Sequence, residues 1–297
     1  MVRDSASVPV PPALALGVAI LAVSTSAILI RWSAAPSAVK AFYRVLFTLA
    51  MVAPFALFPP DARADFGALS RRDLVGATVA GAALAVHFGA WFESLEWTSV
   101  AASVTLVQAQ PVFVAVGAFL LLDERVTGRT VAGILVALVG MALMASADLL
   151  GGSAVGVRPL YGNALAVFAA LMTAVYVLAG RSLRRRVALL PYVTVVYAAC
   201  ALALLAFVVA RGHPLWPYPP REWLLFLAMA AGPGIFGHTV INWALAHVES
   251  SVVSVSLLAE PVGSTLLALA LLAEVPGPLT ALGGVVVLLG IYVTAQG

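Results

Sequence analysis

The sequence predicts an all-α membrane protein of ten transmembrane helices, on the basis of composition, low charge and an internal repeat. Apolar residues make up 63% of the 297 residues and charged residues only 10%, whereas a soluble domain is close to half apolar and a quarter charged. At about 20 residues per bilayer crossing, this apolar content supplies roughly nine or ten spans. An ordinary soluble enzyme, a disordered chain and a disulfide scaffold are therefore excluded.

Ten windows between polar or Pro/Gly breaks are apolar enough to cross a bilayer. They are 13–31, 39–58, 74–92, 99–121, 129–148, 161–181, 189–210, 222–244, 250–273 and 278–295. The connectors are short, so we expect no extramembrane domain. Small residues follow the first window, as after a signal peptide, but that window exceeds the roughly 7–15 residues of a signal-peptide core. Arg31 and Trp32 are typical of an interfacial anchor, so we expect a retained first span.

Basic residues in the connectors predict how the spans are oriented. With the N-terminus in the cytoplasm, ten Lys and Arg residues, Arg181 and Arg184 among them, fall in inner segments and five in outer segments. The positive-inside rule therefore predicts that both termini are cytoplasmic, in a multi-pass protein of the plasma (inner) membrane. We interpret Arg184, Arg185 and Arg186 as a cytoplasmic stop signal rather than a nucleic-acid site. The single cysteine, Cys200, lies in an apolar run and is interpreted as packing.

An internal repeat is the strongest signal in the sequence. Four residues recur 150 positions later: Pro111, Glu124, Gly133 and Gly140 return as Pro261, Glu274, Gly283 and Gly290. Upstream the displacement is 151, which pairs Gly81 with Gly232 and His87 with His238. We therefore divide the chain into five-helix units at residues 1–150 and 151–297. Five is an odd number, so the second unit is inverted in the membrane. Inverted repeats are typical of secondary transporters that work by alternating access.

The two unit endings resemble those of the EamA-like permeases of the drug/metabolite transporter superfamily. The matching residues are Pro111 through Leu121, Leu122, Asp123, Glu124 and Arg125 to Gly133 and Gly140, and Pro261 through Leu271, Leu272, Ala273 and Glu274 to Gly283 and Gly290. The resemblance covers nearly the whole chain. It implies a ten-helix bundle around a central cavity, usually working in export of amino acids, sugars, nucleotide precursors or other metabolites. The loop after Glu274 lacks the basic residues of its partner loop, which agrees with an outward-facing position.

Glu260 is the first candidate for a functional residue, because polar side chains at membrane depth are costly. It lies inside the ninth span beside Pro261, which frees a backbone carbonyl one turn earlier. Glu260 could carry a coupling proton, since burial favours the protonated carboxyl group. It could instead bind a substrate ammonium group or pair with a neighbouring donor. Gln110 holds the corresponding position in the first unit, so we expect a chemically asymmetric cavity.

Arg44 is the second candidate, one turn after Lys40 on the same face of the second span. We expect Lys40 to snorkel to the outer interface. The deeper Arg44 could bind a carboxylate or phosphate through two hydrogen bonds. Snorkelling of both side chains is the structural alternative.

His87 and His238 hold equivalent positions on spans three and eight. They could flank the cavity and take part in proton coupling, or they could be hydrogen-bond partners between helices. Asn242 follows His238 by one turn. No Cys or carboxylate lies at ligand spacing from either histidine, so we expect no metal site and no cofactor. Weaker candidates for the cavity wall are Tyr43, Gln108, Tyr176 and Asn163.

Prolines and glycines mark expected helix breaks. The triplet Gly232, Pro233 and Gly234 interrupts span eight, where a discontinuous helix could expose backbone groups to a ligand; a packing kink is the alternative. Pro111 and Pro261 mark breaks in spans four and nine. We interpret Glu124 and Glu274, at helix ends, as caps or loop anchors.

Together these features predict a secondary transporter that exports small polar or amphipathic metabolites, and amino acids are the favoured substrate class. Arg44 would bind the carboxylate of a zwitterion and Glu260 its ammonium group. The alternative is proton-coupled efflux of lipophilic cations at Glu260 alone. An enzyme is not expected, because Walker A, HExxH and GxSxG motifs do not occur. The expected partners are a small-molecule substrate and the lipid bilayer; the choice between monomer and homodimer stays open.

Overall fold

A computed structural model describes residues 10–97, 103, 106–150, 158–272 and 278–295, and every regular element in these ranges is helical. The first half contains α1 (Pro12–Trp32), α2 (Ser37–Leu57), α3 (Pro60–Gly67), α4 (Arg71–Trp97), α5 (Gln110–Leu121) and α6 (Gly128–Leu150). The second half contains α7 (Pro159–Arg184), α8 (Leu189–Ala210), α9 (Pro220–Met229), a π-helical segment (Ala230–Thr239), α10 (Val240–Ala244), α11 (Ser250–Ser256), a 3₁₀ turn (Leu257–Ala259), α12 (Glu260–Leu272) and α13 (Pro278–Ala295).

Several of these helices are long and apolar enough to cross a membrane. Six such spans lie within the described ranges: Pro12–Ile30, Ser37–Leu57, Arg71–Ser94, Leu160–Arg184, Leu189–Ala210 and Pro220–Ala244. Shorter apolar helices are Gln110–Leu121, Gly128–Leu143 and Ala281–Thr294. The prediction of an all-helical, multi-pass membrane protein is therefore confirmed. The count of ten spans stays a prediction, because the windows 99–121 and 250–273 extend beyond the described residues.

The structure adds one helix that the apolar windows do not contain. Helix α3 is short and follows Pro59, with Pro60 and Asp61 in its first turn. Its charged residues Asp61, Arg63 and Asp65 are exposed. Proline and an acidic residue both favour a helix start, but an eight-residue polar helix gives no signal in a search for 20-residue apolar runs.

Span eight contains a π-helical segment at the Gly232, Pro233 and Gly234 triplet. Proline lacks a backbone N–H and cannot complete the regular α-helical hydrogen bonding. A wider π turn accommodates this defect while helical structure continues from Pro220 to Ala244. The triplet is therefore neither an unwound break nor a simple kink. π-helical turns are rare and often lie at functional sites.

Helix packing between the two halves is symmetric. Helix α1 contacts the π segment and α12, and α7 contacts α4 and α5 in the corresponding way. Helix α2 contacts α8, and α6 contacts α13; each of these two pairs maps onto itself when the halves are exchanged. A pseudo-two-fold arrangement of two repeats produces such a pattern.

The repeated glycines lie where α6 crosses α13. A Cβ atom added at Gly133 would lie 2.6 Å from the carbonyl oxygen of Gly290, and one at Gly140 would lie 2.7 Å from that of Gly283. These distances are too short for any side chain, so only glycine permits the two backbones to approach this closely. Small residues commonly have this role between membrane helices. Packing therefore explains why both halves contain the same pair of glycines.

Candidate functional site

The four ionisable candidates are Arg44, His87, His238 and Glu260. Arg44, on α2, is the most deeply buried of them, with 3% of its surface exposed. Its guanidinium donates to the hydroxyl of Ser26 on α1 at 3.3 Å and lies over the ring of Phe88, 4.8 Å from the centroid. Within the described ranges, Arg44 forms no ion pair with a carboxylate. A guanidinium has five N–H donors, so most of this capacity remains available to a ligand.

A small cavity lies beside Arg44. Its lining residues are Arg44, Val45, Thr48, Leu84, Phe88, Tyr197, Gly234 and His238. The internal volume is about 10 Å³, close to what one water molecule needs. The helices therefore close tightly around Arg44 in this conformation, and a metabolite would require them to move apart.

His238 reaches this cavity from the π segment. Its ring packs edge-on against Phe88 and lies 6.0 Å from the ring of Tyr176. Asn242, one turn later, donates from Nδ2 to the Tyr176 hydroxyl at 2.5 Å and to the His238 carbonyl at 2.8 Å. The Nδ1 atom of His238 and Oδ1 of Asn242 are buried and have no hydrogen-bond partner among the described residues. Such atoms are uncommon in folded proteins and mark places where water or a ligand can bind.

His87 has different surroundings, although the repeat pairs it with His238. Its Nδ1 atom lies 3.1 Å from the Ala169 carbonyl oxygen and 2.6 Å from the Thr173 hydroxyl, both on α7. The Thr173 hydroxyl donates to the same carbonyl at 3.0 Å. A carbonyl only accepts, so this network places the ring hydrogen of His87 on Nδ1. His87 therefore forms a hydrogen-bonded contact between α4 and α7.

Glu260 is the first residue of α12, directly after the 3₁₀ turn, and it is half-buried. Its carboxylate accepts a hydrogen bond from Nε2 of Gln108 at 3.2 Å. Nε2 of Gln110 donates to Oε1 of Gln108 at 3.5 Å. These three predicted site residues therefore form one polar chain between the two halves. Pro111 and Pro261 follow the turns that precede α5 and α12, as the second residue of each helix.

The structure brings two of the four predicted ionisable residues to the cavity. Arg44 and His238 line it, whereas His87 and Glu260 are absent from its lining. The sequence reasoning missed Phe88, Ser26 and Tyr197. Apolar or hydroxyl residues are common in membrane helices, so one sequence contains no signal that singles them out.

Tyr43 lies outside the cavity lining. Its ring stacks on Phe226 with 5.0 Å between centroids, and its hydroxyl donates to the Leu215 carbonyl at 2.7 Å. It belongs to an aromatic cluster of Tyr43, Phe47, Trp216, Tyr218, Trp223 and Phe226. Lys40 is also buried, and its ammonium group donates to the Ile30 carbonyl at 3.3 Å.

Several arginines assigned to loops are part of the helix bundle. Arg181 and Arg184 are buried at the end of α7. Arg184 donates from Nε to the Asn242 carbonyl at 3.0 Å, and Arg181 forms an ion pair with Glu124. Side chains of Arg185 and Arg186 are about half exposed. Glu274 lies outside the described residues.

Within the described ranges, no group of three or more His, Cys, Asp or Glu residues is arranged to bind a metal ion. The cavity thus presents Arg44, which has no carboxylate partner among the described residues, and His238, whose Nδ1 atom has no hydrogen-bond partner there. These two side chains can bind a small ligand through charge and hydrogen bonds.

The matching family model and two curated relatives agree on a transporter. The model of the EamA-like transporter family matches residues 12–146 and again residues 160–296. Two curated relatives from Archaeoglobus fulgidus, both described as uncharacterized transporters, are 23% identical over 205 residues and 29% identical over 203. These alignments cover 68% and 64% of this chain, and 69% and 66% of the respective relatives. A solved crystal structure that is 24% identical matches 96% of both chains with a TM-score of 0.77, which shows a shared fold.

Proposed function

We propose a specific transport function from one premise: the chain belongs to the EamA-like transporter family, whose model matches both of its halves. In this proposal the protein is a secondary transporter that exports small polar or amphipathic metabolites. Amino acids are the best candidates, because the helix bundle holds both a buried cation, Arg44, and a carboxylate, Glu260, that could bind the two charges of a zwitterion.

Arg44 is the observation that carries this proposal. A charge at membrane depth is costly without a partner, and the described residues offer Arg44 one hydroxyl and one aromatic ring. The carboxylate of a substrate would supply the missing counter-charge and accept two parallel hydrogen bonds. Glu260, half-buried and held by Gln108, would receive the ammonium group.

The symmetric packing supports an alternating-access mechanism. The proposed ten spans form two inverted units, so exchanging their conformations would open the cavity first to one side and then to the other. The excess of basic residues in alternate loops persists when the buried Lys40, Arg181 and Arg184 are left out of the count, and it supports cytoplasmic termini. We place the protein in the plasma membrane. A reporter that is active only in the cytoplasm, fused to the C-terminus, tests this orientation.

Counterflow in proteoliposomes tests the proposed site. The variants Arg44→Gln and Glu260→Gln should lower uptake of radiolabelled amino acids about 10- to 100-fold, since each removes charged hydrogen bonds to the substrate. The matched controls are Arg211→Gln and Glu93→Gln, which alter an ion pair in which the arginine is about half exposed and should leave flux unchanged. Thermal denaturation of each purified variant shows whether it folds.

The same assay separates the two transport hypotheses. Wild-type flux in both Arg44→Gln and Glu260→Gln would overturn the site assignment. Efflux of lipophilic cations requires Glu260 but not Arg44. Transport of tetraphenylphosphonium that competes with protons, fails in Glu260→Gln and persists in Arg44→Gln would therefore support the alternative function.

A further inference from the structure

The cavity beside Arg44 has a polar end and apolar walls. Arg44 and His238 form the polar end, where the His238 Nδ1 atom has no partner among the described residues. The walls include the buried apolar side chains of Val45, Leu84 and Phe88. This division bears on a property that the proposed function leaves open, namely the chemistry of the substrate side chain.

The hydroxyl groups in the cavity wall already have partners within the protein. The Thr48 hydroxyl donates to the Arg44 carbonyl at 2.7 Å. The Thr239 hydroxyl donates to the Gly234 carbonyl at 3.2 Å, so the Tyr197 hydroxyl donates to Thr239 at 2.9 Å. A carbonyl or amide oxygen on the substrate side chain would therefore meet no free hydroxyl donor on these walls. Burying such an acceptor without a hydrogen bond is costly.

The packing around the cavity also favours a compact side chain, because the walls must move apart to admit any substrate. Gly234 faces Thr48 so closely that a Cβ atom at Gly234 would collide with the Thr48 side chain. Leu84 and Phe88 have 1% and 2% of their surfaces exposed, so the apolar wall is densely packed. A compact side chain requires less rearrangement here than a bulky one.

We infer that the substrate of this site is an amphipathic carboxylate with a compact apolar side chain. Its carboxylate binds Arg44, with His238 at the same polar end, and its side chain packs against Val45, Leu84 and Phe88. This inference rests on the proposed function, since it assumes that Arg44 binds the substrate carboxylate.

Leucine and asparagine are the decisive pair of probes, because their side chains have nearly the same shape and differ in polarity. Each is added as an unlabelled competitor to counterflow by wild-type protein in proteoliposomes. Leucine should reach half-maximal inhibition at a concentration about tenfold or more below that of asparagine, which corresponds to one unsatisfied polar group. This comparison needs no variant and so does not depend on the folding of any substitution.

A substitution in the wall tests where the side chain lies. Leu84→Ala should enlarge the cavity and improve competition by phenylalanine relative to leucine about tenfold. Leu204→Ala is the matched control, because Leu204 is equally buried but is absent from the cavity lining. It should leave the ratio unchanged, and the melting temperatures of both variants identify any general loss of structure.

The outcomes distinguish this inference from the proposed function. Equal competition by leucine and asparagine, with flux that still requires Arg44, would overturn the apolar side chain and leave the proposed function intact. An unchanged ratio in a folded Leu84→Ala variant would also overturn it. Absence of amino-acid flux, or flux unaffected by Arg44→Gln, would overturn the proposed function itself and this inference with it.

Discussion

Glu124 and Arg181 form a buried ion pair that joins the two halves of the chain. The Arg181 Nε donates to a Glu124 carboxylate oxygen at 2.6 Å, and the two side chains are 10% and 2% exposed. The second Glu124 oxygen accepts from the backbone N–H of Ser250 at 3.1 Å and from its hydroxyl at 2.7 Å. One carboxylate in the loop between α5 and α6 thus holds the end of α7 and the start of α11.

The variant Glu124→Gln should strongly destabilise the protein, because it leaves the buried Arg181 without its counter-ion. Breaking a buried pair on one side costs about 3–5 kcal/mol. Thermal denaturation in detergent measures the effect. Asp73→Asn is the matched control, since Asp73 pairs with the half-exposed Arg186 and exposed pairs contribute little. Similar losses in the two variants would contradict a special role for Glu124.

Gly290→Ala should disrupt the crossing of α6 and α13. Its added Cβ would lie 2.5 Å from the Ala137 nitrogen and 2.6 Å from the Gly133 oxygen, and backbone atoms cannot move aside easily. Gly284→Ala on the same helix is the control, with its nearest neighbour atom on Val262 at 3.7 Å. We expect a clear fall in melting temperature for Gly290→Ala. Gly284→Ala should be neutral or slightly stabilising, since alanine favours helix.

Sequence reasoning succeeds for the fold where the bilayer itself imposes the pattern. Apolar windows predict the long helices because bilayer thickness sets their length. The repeated glycines, Gly133 and Gly140 in one half and Gly283 and Gly290 in the other, reflect the close crossing of α6 and α13. Sequence reasoning fails to predict the burial of charged side chains whose partners come from other helices. Arg181 and Arg184 count as loop charges in the sequence, yet the structure buries both against backbone carbonyls. One sequence does not reveal such partners.

Gly234→Ala should disturb the π segment and the cavity. The new methyl group would collide with the Thr48 side chain, whereas at Gly232 the nearest atom, Thr25 Oγ1, lies at a tolerable 3.4 Å. We therefore expect Gly234→Ala to lower both melting temperature and transport, and Gly232→Ala to resemble wild type. Adding Thr48→Ala should partly restore stability, because the nearest remaining atom is then the Cβ at 3.2 Å. Failure of this rescue would show that another contact limits the position.

The site shows a second limit of sequence reasoning. The repeat predicts one kind of role for His87 and His238, because it pairs their positions. Their environments differ because α7 offers His87 a carbonyl and the Thr173 hydroxyl, whereas His238 faces Arg44 and the cavity. Duplicated positions therefore predict corresponding locations in the fold, while the helix packed against each position decides its chemistry.

His87→Ala should consequently affect mainly the stability of the protein, and His238→Ala mainly its transport activity. His87→Ala removes a hydrogen bond between α4 and α7, worth about 1 kcal/mol, and should lower the melting temperature more. His238→Ala removes a ring whose Nδ1 has no partner in the described structure, so it should affect stability less. It should lower transport by folded protein about tenfold if His238 donates to the substrate carboxylate. Both rings pack on neighbouring aromatic residues, which makes the two alanine variants a fair comparison. Loss of transport in a fully stable His87→Ala, with normal transport in His238→Ala, would reverse the assignment.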